Sequence, residues 1–148
     1  MSLVDLIEPE VVKVPLTSTT KHEVIPELLD VLMNCGKVGD RESALNALLE
    51  RESLGSTGLE RGIAVPHAKT SAVSGLTVAI GISPNGLDFQ AVDGEPSRLF
   101  FLMLAPPDQA GPHIEALAEI ARLTRAPAFL KALSRAESAD EVLELLNE

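Results

Sequence analysis

The chain holds one cysteine, no tryptophan, no tyrosine and only three histidines in 148 residues. A lone Cys35 cannot close an internal disulfide, so the fold must rest on its core. Basic residues are scarce as well: 12 Lys and Arg stand against 22 Asp and Glu, for a formal charge of −10. That balance leaves no basic face with which to neutralise a nucleic-acid backbone or to sit on an anionic lipid surface. No apolar run approaches the roughly 18–20 residues of a spanning helix, and pieces such as Leu99 to Ala105 are far shorter. Nothing at the N-terminus resembles a basic region followed by an apolar run of signal length, so a cytoplasmic location without direct membrane insertion is expected.

What is present is the composition of a globular protein, with 45% apolar and 23% charged residues. The length fits one domain across residues 1–148. Val11 to Val14 is β-branched and stops at Pro15, which predicts a short strand. Thr20 to Glu23 has capping-box spacing, and Ile25, Leu28, Leu29, Leu32 and Cys35 follow at helical intervals up to Gly36. His22 belongs to that helix's surface and Cys35 to its core stripe. A second helix starts at the cap Asp40 and delivers Arg51 to the edge of a glycine-containing loop.

Beyond the loop, Ile63-Ala64-Val65 reads as a very short buried strand halted by Pro66, with His67 just past its end. Two strands, Leu76 to Ser83 and Leu87 to Val92, are expected on either side of Pro84-Asn85-Gly86, then another from Leu99 to Ala105. The remainder is helical. Ile114, Leu117, Ala118 and Ala121 mark the apolar face of one helix, Pro127 to Leu133 form a short one, and Ser138 caps the last. This order predicts a three-layer α/β/α domain, its mixed sheet of about five strands covered by helices on both faces.

With so few reactive side chains, His67 is the main candidate for chemistry. Proline fixes the backbone before it and Ala68 blocks nothing after it. A neutral imidazole, with an unperturbed pKa of about 6.5, has a free lone pair that can attack phosphorus directly. A metal site built on His67 and His113 is the first rival. No third His, Cys, Asp or Glu stands at a recognisable ligand spacing, so neither a metal nor another cofactor is expected.

The run Leu48 to Leu59, with Glu50-Arg51-Glu52 and Gly55-Ser56-Thr57-Gly58, followed by Gly62-Ile63-Ala64-Val65-Pro66-His67-Ala68, resembles the signature of the type-2 EIIA domains of the phosphoenolpyruvate-dependent phosphotransferase system. These are the fructose/mannitol-type IIA proteins, including the nitrogen-regulatory branch. The resemblance extends through residues 86–89, Asp93-Gly94, Ala105-Pro106-Pro107, His113 and Leu117. It implies that His67 accepts a phosphoryl group on Nε2 from an HPr-type carrier or its nitrogen-branch homologue and passes it on. It also implies helper roles for His113, the second family histidine, and for Arg51 near the nucleophile. Thr57 and Ser56 would hold phosphoryl oxygens from the facing loop. His113 falls in the first turn of a helix, where free N–H groups favour phosphate and disfavour a protonated imidazole.

Glu60 departs from the Gly or Ala usual after Leu59, which leaves the shape of that loop open. The second rival is a regulator whose histidine acts only as a switch for partner binding. Gly55-Ser56-Thr57-Gly58 resembles the nitrogen-regulatory branch, which acts on transporters or sensor kinases. Pro66-His67-Ala68-Lys69 resembles fructose-type members, which pass phosphate to a IIB unit. The regulatory branch is the expected one.

Overall fold

Strand β5, Ser97–Ala105, is the spine of the fold: all of its residues except Arg98 are buried. A run of Leu, Phe and Met buried on both sides is what a central strand with two covered faces requires. The computed structural model describes residues 3–147. Two short 3₁₀ turns lead into β1 (Val12–Lys13), α1 (Lys21–Asn34) and α2 (Arg41–Ser53). The short strands β2 (Ile63–Ala64) and β3 (His67–Lys69) precede β4 (Thr77–Leu87) and β5. Helices α3 (Ala110–Leu123), α4 (Pro127–Ser134) and α5 (Ala139–Leu146) complete the order.

The sheet runs β1-β4-β5-β2, with β3 also on β5; β4 and β5 are antiparallel and the other pairs parallel. Adjacent residues of a strand face opposite sides of the sheet, and β4 shows what covers each. A Cβ on Gly81 would stand 2.7 Å from Leu28 of α1. Its neighbour Ile82 lines a cleft with Leu130 of α4. The three-layer α/β/α expectation therefore holds.

Three local expectations are corrected. The two strands anticipated around Pro84-Asn85-Gly86 are one strand, β4, because Leu87 resumes pairing with Ser97 across a register shift; residues 88–92 lie outside it. Thr20 caps α1 without the reciprocal bonds of a capping box, since its hydroxyl donates to Glu23 Oε1 at 2.9 Å instead of accepting an amide. On α3 the buried residues are His113, Ala116 and Ile120, whereas Ile114, Ala118 and Ala121 are exposed. Of the apolar stripe read from the sequence, only Leu117 packs against the core, half-buried; the other three face outward.

Candidate active site

His67 lies past the end of β2, as expected, but it also opens a further strand, β3. Ile63 pairs with Leu99, Ala64 with Phe100, and His67 with Met103, so β2 and β3 keep one constant register along β5. Pro66 removes one ladder donor, yet its carbonyl accepts from Met103 N–H at 3.0 Å and the edge runs on. This rigid edge fixes the imidazole. His67 Nδ1 lies 2.7 Å from the Val65 carbonyl oxygen. A carbonyl only accepts, so the bond places the proton on Nδ1 and leaves the free lone pair on Nε2.

The outer side of β2 is held by the loop before it. Leu59 N–H donates to the Ile63 carbonyl at 2.7 Å, and Val65 N–H to the Thr57 carbonyl at 3.0 Å. Gly58 is required here, since a Cβ would approach Ala91 Cα to 2.9 Å. Where Glu60 left the loop open, the chain makes a tight turn with positive φ at both Arg61 (61°) and Gly62 (80°). Asp93 holds it, accepting from Arg61 N–H at 3.0 Å.

His113 meets His67 edge-on, with ring centroids 5.0 Å apart and planes at 87°. It is only 5% exposed, and its Nε2 is buried without a hydrogen-bond partner. Burial first, then the electrostatic influence of the neighbouring His67 and Lys69 side chains, push its pKa down to about 4. The ring therefore stays neutral, as the sequence suggested, but burial leads rather than the helix terminus. An imidazole with an orphaned nitrogen beside a nucleophile is a group waiting for a polar partner.

Arg51 lines the same cleft of about 460 Å³ as His67, Lys69 and His113. One of its N–H groups donates to the Gly55 carbonyl at 3.0 Å, closing the end of α2. Its other donors can face the cleft. Thr57 and Ser56 are not brought to His67. The Thr57 hydroxyl donates to Glu52 Oε1 at 2.6 Å and its N–H to Oε2 at 2.8 Å, while Ser56 Oγ donates to the Phe89 carbonyl at 2.7 Å. Neither residue lines the clefts beside His67.

Sequence reasoning missed Glu52, which also pairs with Lys21 at 2.9 Å. Its signal was faint, an acid in a run of charge. It also missed the rim. Leu54 is 81% exposed, Val92 74% and Ile114 65%, and all three line clefts that contain His67. Exposed apolar side chains gathered around one histidine mark a surface made to be covered. Among the described residues, no three His, Cys, Asp or Glu side chains stand together as metal ligands, and no helix is long and apolar enough to cross a membrane.

Residues 5–148 match the family described as phosphoenolpyruvate-dependent sugar phosphotransferase system, EIIA 2. The chain belongs to this family. Among EIIA 2 relatives, it is 40% identical over its whole length to a fructose-specific EIIA component of Haloferax volcanii, covering 91% of that protein. It is 33% identical to a nitrogen regulatory protein of Bradyrhizobium diazoefficiens, over 99% of this chain and 95% of that one. A fructose-specific EIIABC component of Bacillus subtilis is 36% identical over the whole chain, which spans only 23% of that protein's length. In structure, the nitrogen regulatory protein IIA-Ntr of Neisseria meningitidis superposes with a TM-score of 0.84 at 28% identity, covering 97% of this chain and 98% of that one. Enzyme IIA mannitol of Escherichia coli, solved in complex with phosphorylated enzyme IIB mannitol, gives 0.82 at 28% identity, covering 95% and 96%.

Proposed function

We propose that the chain forms one EIIA unit over residues 1–148 and is a phosphoryl carrier, with His67 Nε2 as the accepting atom. The observation that carries this reading is the Nδ1–H bond to the Val65 carbonyl, 2.7 Å long, which leaves Nε2 nucleophilic. In the transfer, Nε2 attacks the phosphorus of a donor phosphohistidine as the bond from phosphorus to the donor nitrogen breaks. His67 keeps its proton on Nδ1 and becomes formally cationic, so the bond to Val65 strengthens into a charge-assisted one. His113 donates from its buried Nε2 to a phosphoryl oxygen, and being neutral it can give the group up again. Arg51 supplies a guanidinium to the shifting negative charge.

The donor is an HPr-type carrier or its nitrogen-branch homologue, docking on the apolar rim of Leu54, Ile114 and Val92. The net charge of −10 steers a partner with a basic rim. Downstream, the reading favours a regulatory, nitrogen-related protein acting on a transporter or sensor kinase in the cytoplasm, supported by the 33% identity to a nitrogen regulatory protein of similar length. The 40% identity to a fructose-specific EIIA component supports a second reading, delivery of phosphate to a IIB unit during sugar uptake.

Incubation with phosphoenolpyruvate, enzyme I and either carrier should place acid-labile phosphate on the wild type and none on His67→Ala. Absence of label on the wild type with both carriers sinks the reading. Rapid transfer from the labelled protein to IIB units selects the sugar pathway; its absence, with partner capture that depends on phosphorylation, selects the regulatory one.

A further inference from the structure

On the far side of the Leu59–Gly62 turn from His67 lies a cleft of about 1030 Å³, larger than either cleft beside the histidine. Four cationic side chains line it: Arg61, Arg98, Lys131 and Arg135. That is a third of the 12 basic residues in a chain that carries 22 acidic ones, and Glu137 is the only acid in the lining. Chance placement on so acidic a surface would surround each cation with carboxylates. Instead, the ion pairs among the described residues, Lys13–Glu27, Lys21–Glu52 and Arg41–Asp30, all lie elsewhere.

Two of the three guanidiniums are held in place without being neutralised. Arg98 Nη1 donates to the Pro84 carbonyl at 2.6 Å, and Arg61 Nη1 to the Arg125 carbonyl at 3.4 Å. Gathering four like charges in one concavity is unfavourable unless an anion completes it. Apart from Ser134 and Glu137 the remaining wall is apolar, with Ile82 and Leu130 buried behind it. A few charged groups converging on an apolar cavity of this size is the make-up of a small-molecule site rather than of a flat protein interface.

We propose that this cleft binds a phosphorylated small molecule, its phosphate oxygens taken by the guanidinium forks of Arg98 and Arg61 and by Lys131 and Arg135, its uncharged body lying against Ile82 and Leu130. Planar guanidinium groups match phosphate oxygens in pairs, which an isolated lysine patch does not. The site is separate from the histidine that the phosphocarrier reading uses, although Arg61 also lines the cleft beside His67.

Isothermal titration of the full, unphosphorylated chain with metal-free ATP as probe and neutral adenosine as control tests this. ATP binds, adenosine does not, and Arg98→Ala and Arg135→Glu each weaken ATP about tenfold. Lys37→Ala, which removes a cation outside the cleft, leaves the affinity unchanged, and circular dichroism reports that each variant is folded. His67→Ala binds ATP like the wild type, so the outcome is independent of the phosphocarrier reading. No heat with millimolar ATP, equal binding of adenosine, or equal weakening by Lys37→Ala overturns the proposal.

Discussion

Two carboxylates in this fold do the same local job in different places, and only one of them connects onward to His67. Glu27 accepts from the N–H and hydroxyl of both Thr17 and Ser18 and pairs with Lys13 at 2.8 Å, tying the β1–α1 connection to α1. Glu52 accepts from the N–H and hydroxyl of Thr57 and pairs with Lys21, tying the loop after α2 to its own helix. Behind Glu27 there is only the loop it holds. Behind Glu52 a relay continues: the Thr57 carbonyl takes Val65 N–H, and the Val65 carbonyl takes His67 Nδ1–H. The same clamp is a matter of stability in one place and of aim in the other.

The largest effects come from breaking the two clamps. Glu27→Ala removes four hydrogen bonds from exposed or half-buried donors together with the Lys13 pair, Glu52→Ala strands the donors of Lys21 and the buried Thr57, and each should cost about 3 kcal/mol in urea unfolding. The labelling rate separates them: Glu27→Ala phosphorylates like the wild type well below its melting temperature, whereas Glu52→Ala is slowed about tenfold. The nitrogen-15 shifts of His67 should report the Nδ1-protonated tautomer in Glu27→Ala and a tautomer mixture in Glu52→Ala. Equal slowing in both variants would erase the distinction.

Much of this was legible in the sequence. The cap at Asp40 was read from its residue type, and it accepts from Ser43 N–H at 3.2 Å. The central strand around Leu99–Ala105 followed from its unbroken apolar run and the helices from periodicity, because burial enforces both. The pairing of β2 and β3 as one interrupted edge was not legible: proline signals a missing donor but not whether the partner strand carries the register across it. The α3 stripe misled for a related reason. Ile114 is apolar yet 65% exposed, and periodicity cannot tell a core-facing stripe from an exposed one. Thr57 and Ser56 were legible as loop hydroxyls but not as groups already engaged by Glu52 and Phe89.

A smaller effect, on pH dependence, distinguishes Glu27 from the buried His113. Burial raises the Glu27 pKa, but the Lys13 pair, the Ser18 hydroxyl and the Thr17 and Ser18 amides outweigh it and bring it to about 2. Its stabilisation is present above about pH 4.5 and lost as pH falls toward 2. His113 is a base whose folded pKa is lowered to about 4. The unfolded chain takes up its proton near pH 6.5 while the folded chain does not, so stability is full above 6.5 and falls as pH drops toward 4. Wild type should lose about 2 kcal/mol between about pH 7 and about pH 5. His113→Gln should flatten that window and leave the lower one intact. A wild-type profile flat from 7 to 5 would mean that His113 is not held neutral by burial.

The smallest expected effect is also the sharpest test of how Thr57 serves the site. Thr57→Val keeps the β-branched shape and removes one hydrogen bond, that from Oγ1 to Glu52 Oε1. The Thr57 N–H bond to Glu52, the Lys21 pair and the carbonyl link to Val65 all remain, so the relay to His67 is intact. Unfolding should register a cost of about 1 kcal/mol, and the labelling rate should change by less than about twofold. Were the hydroxyl instead a ligand of the phosphoryl group, the same substitution would remove a transition-state donor and slow labelling about a hundredfold. A clamp oxygen and a phosphate ligand differ by two orders of magnitude in rate for the loss of one atom's hydrogen bond. A slow Thr57→Val would move the function of that loop from holding the histidine to touching the group it carries.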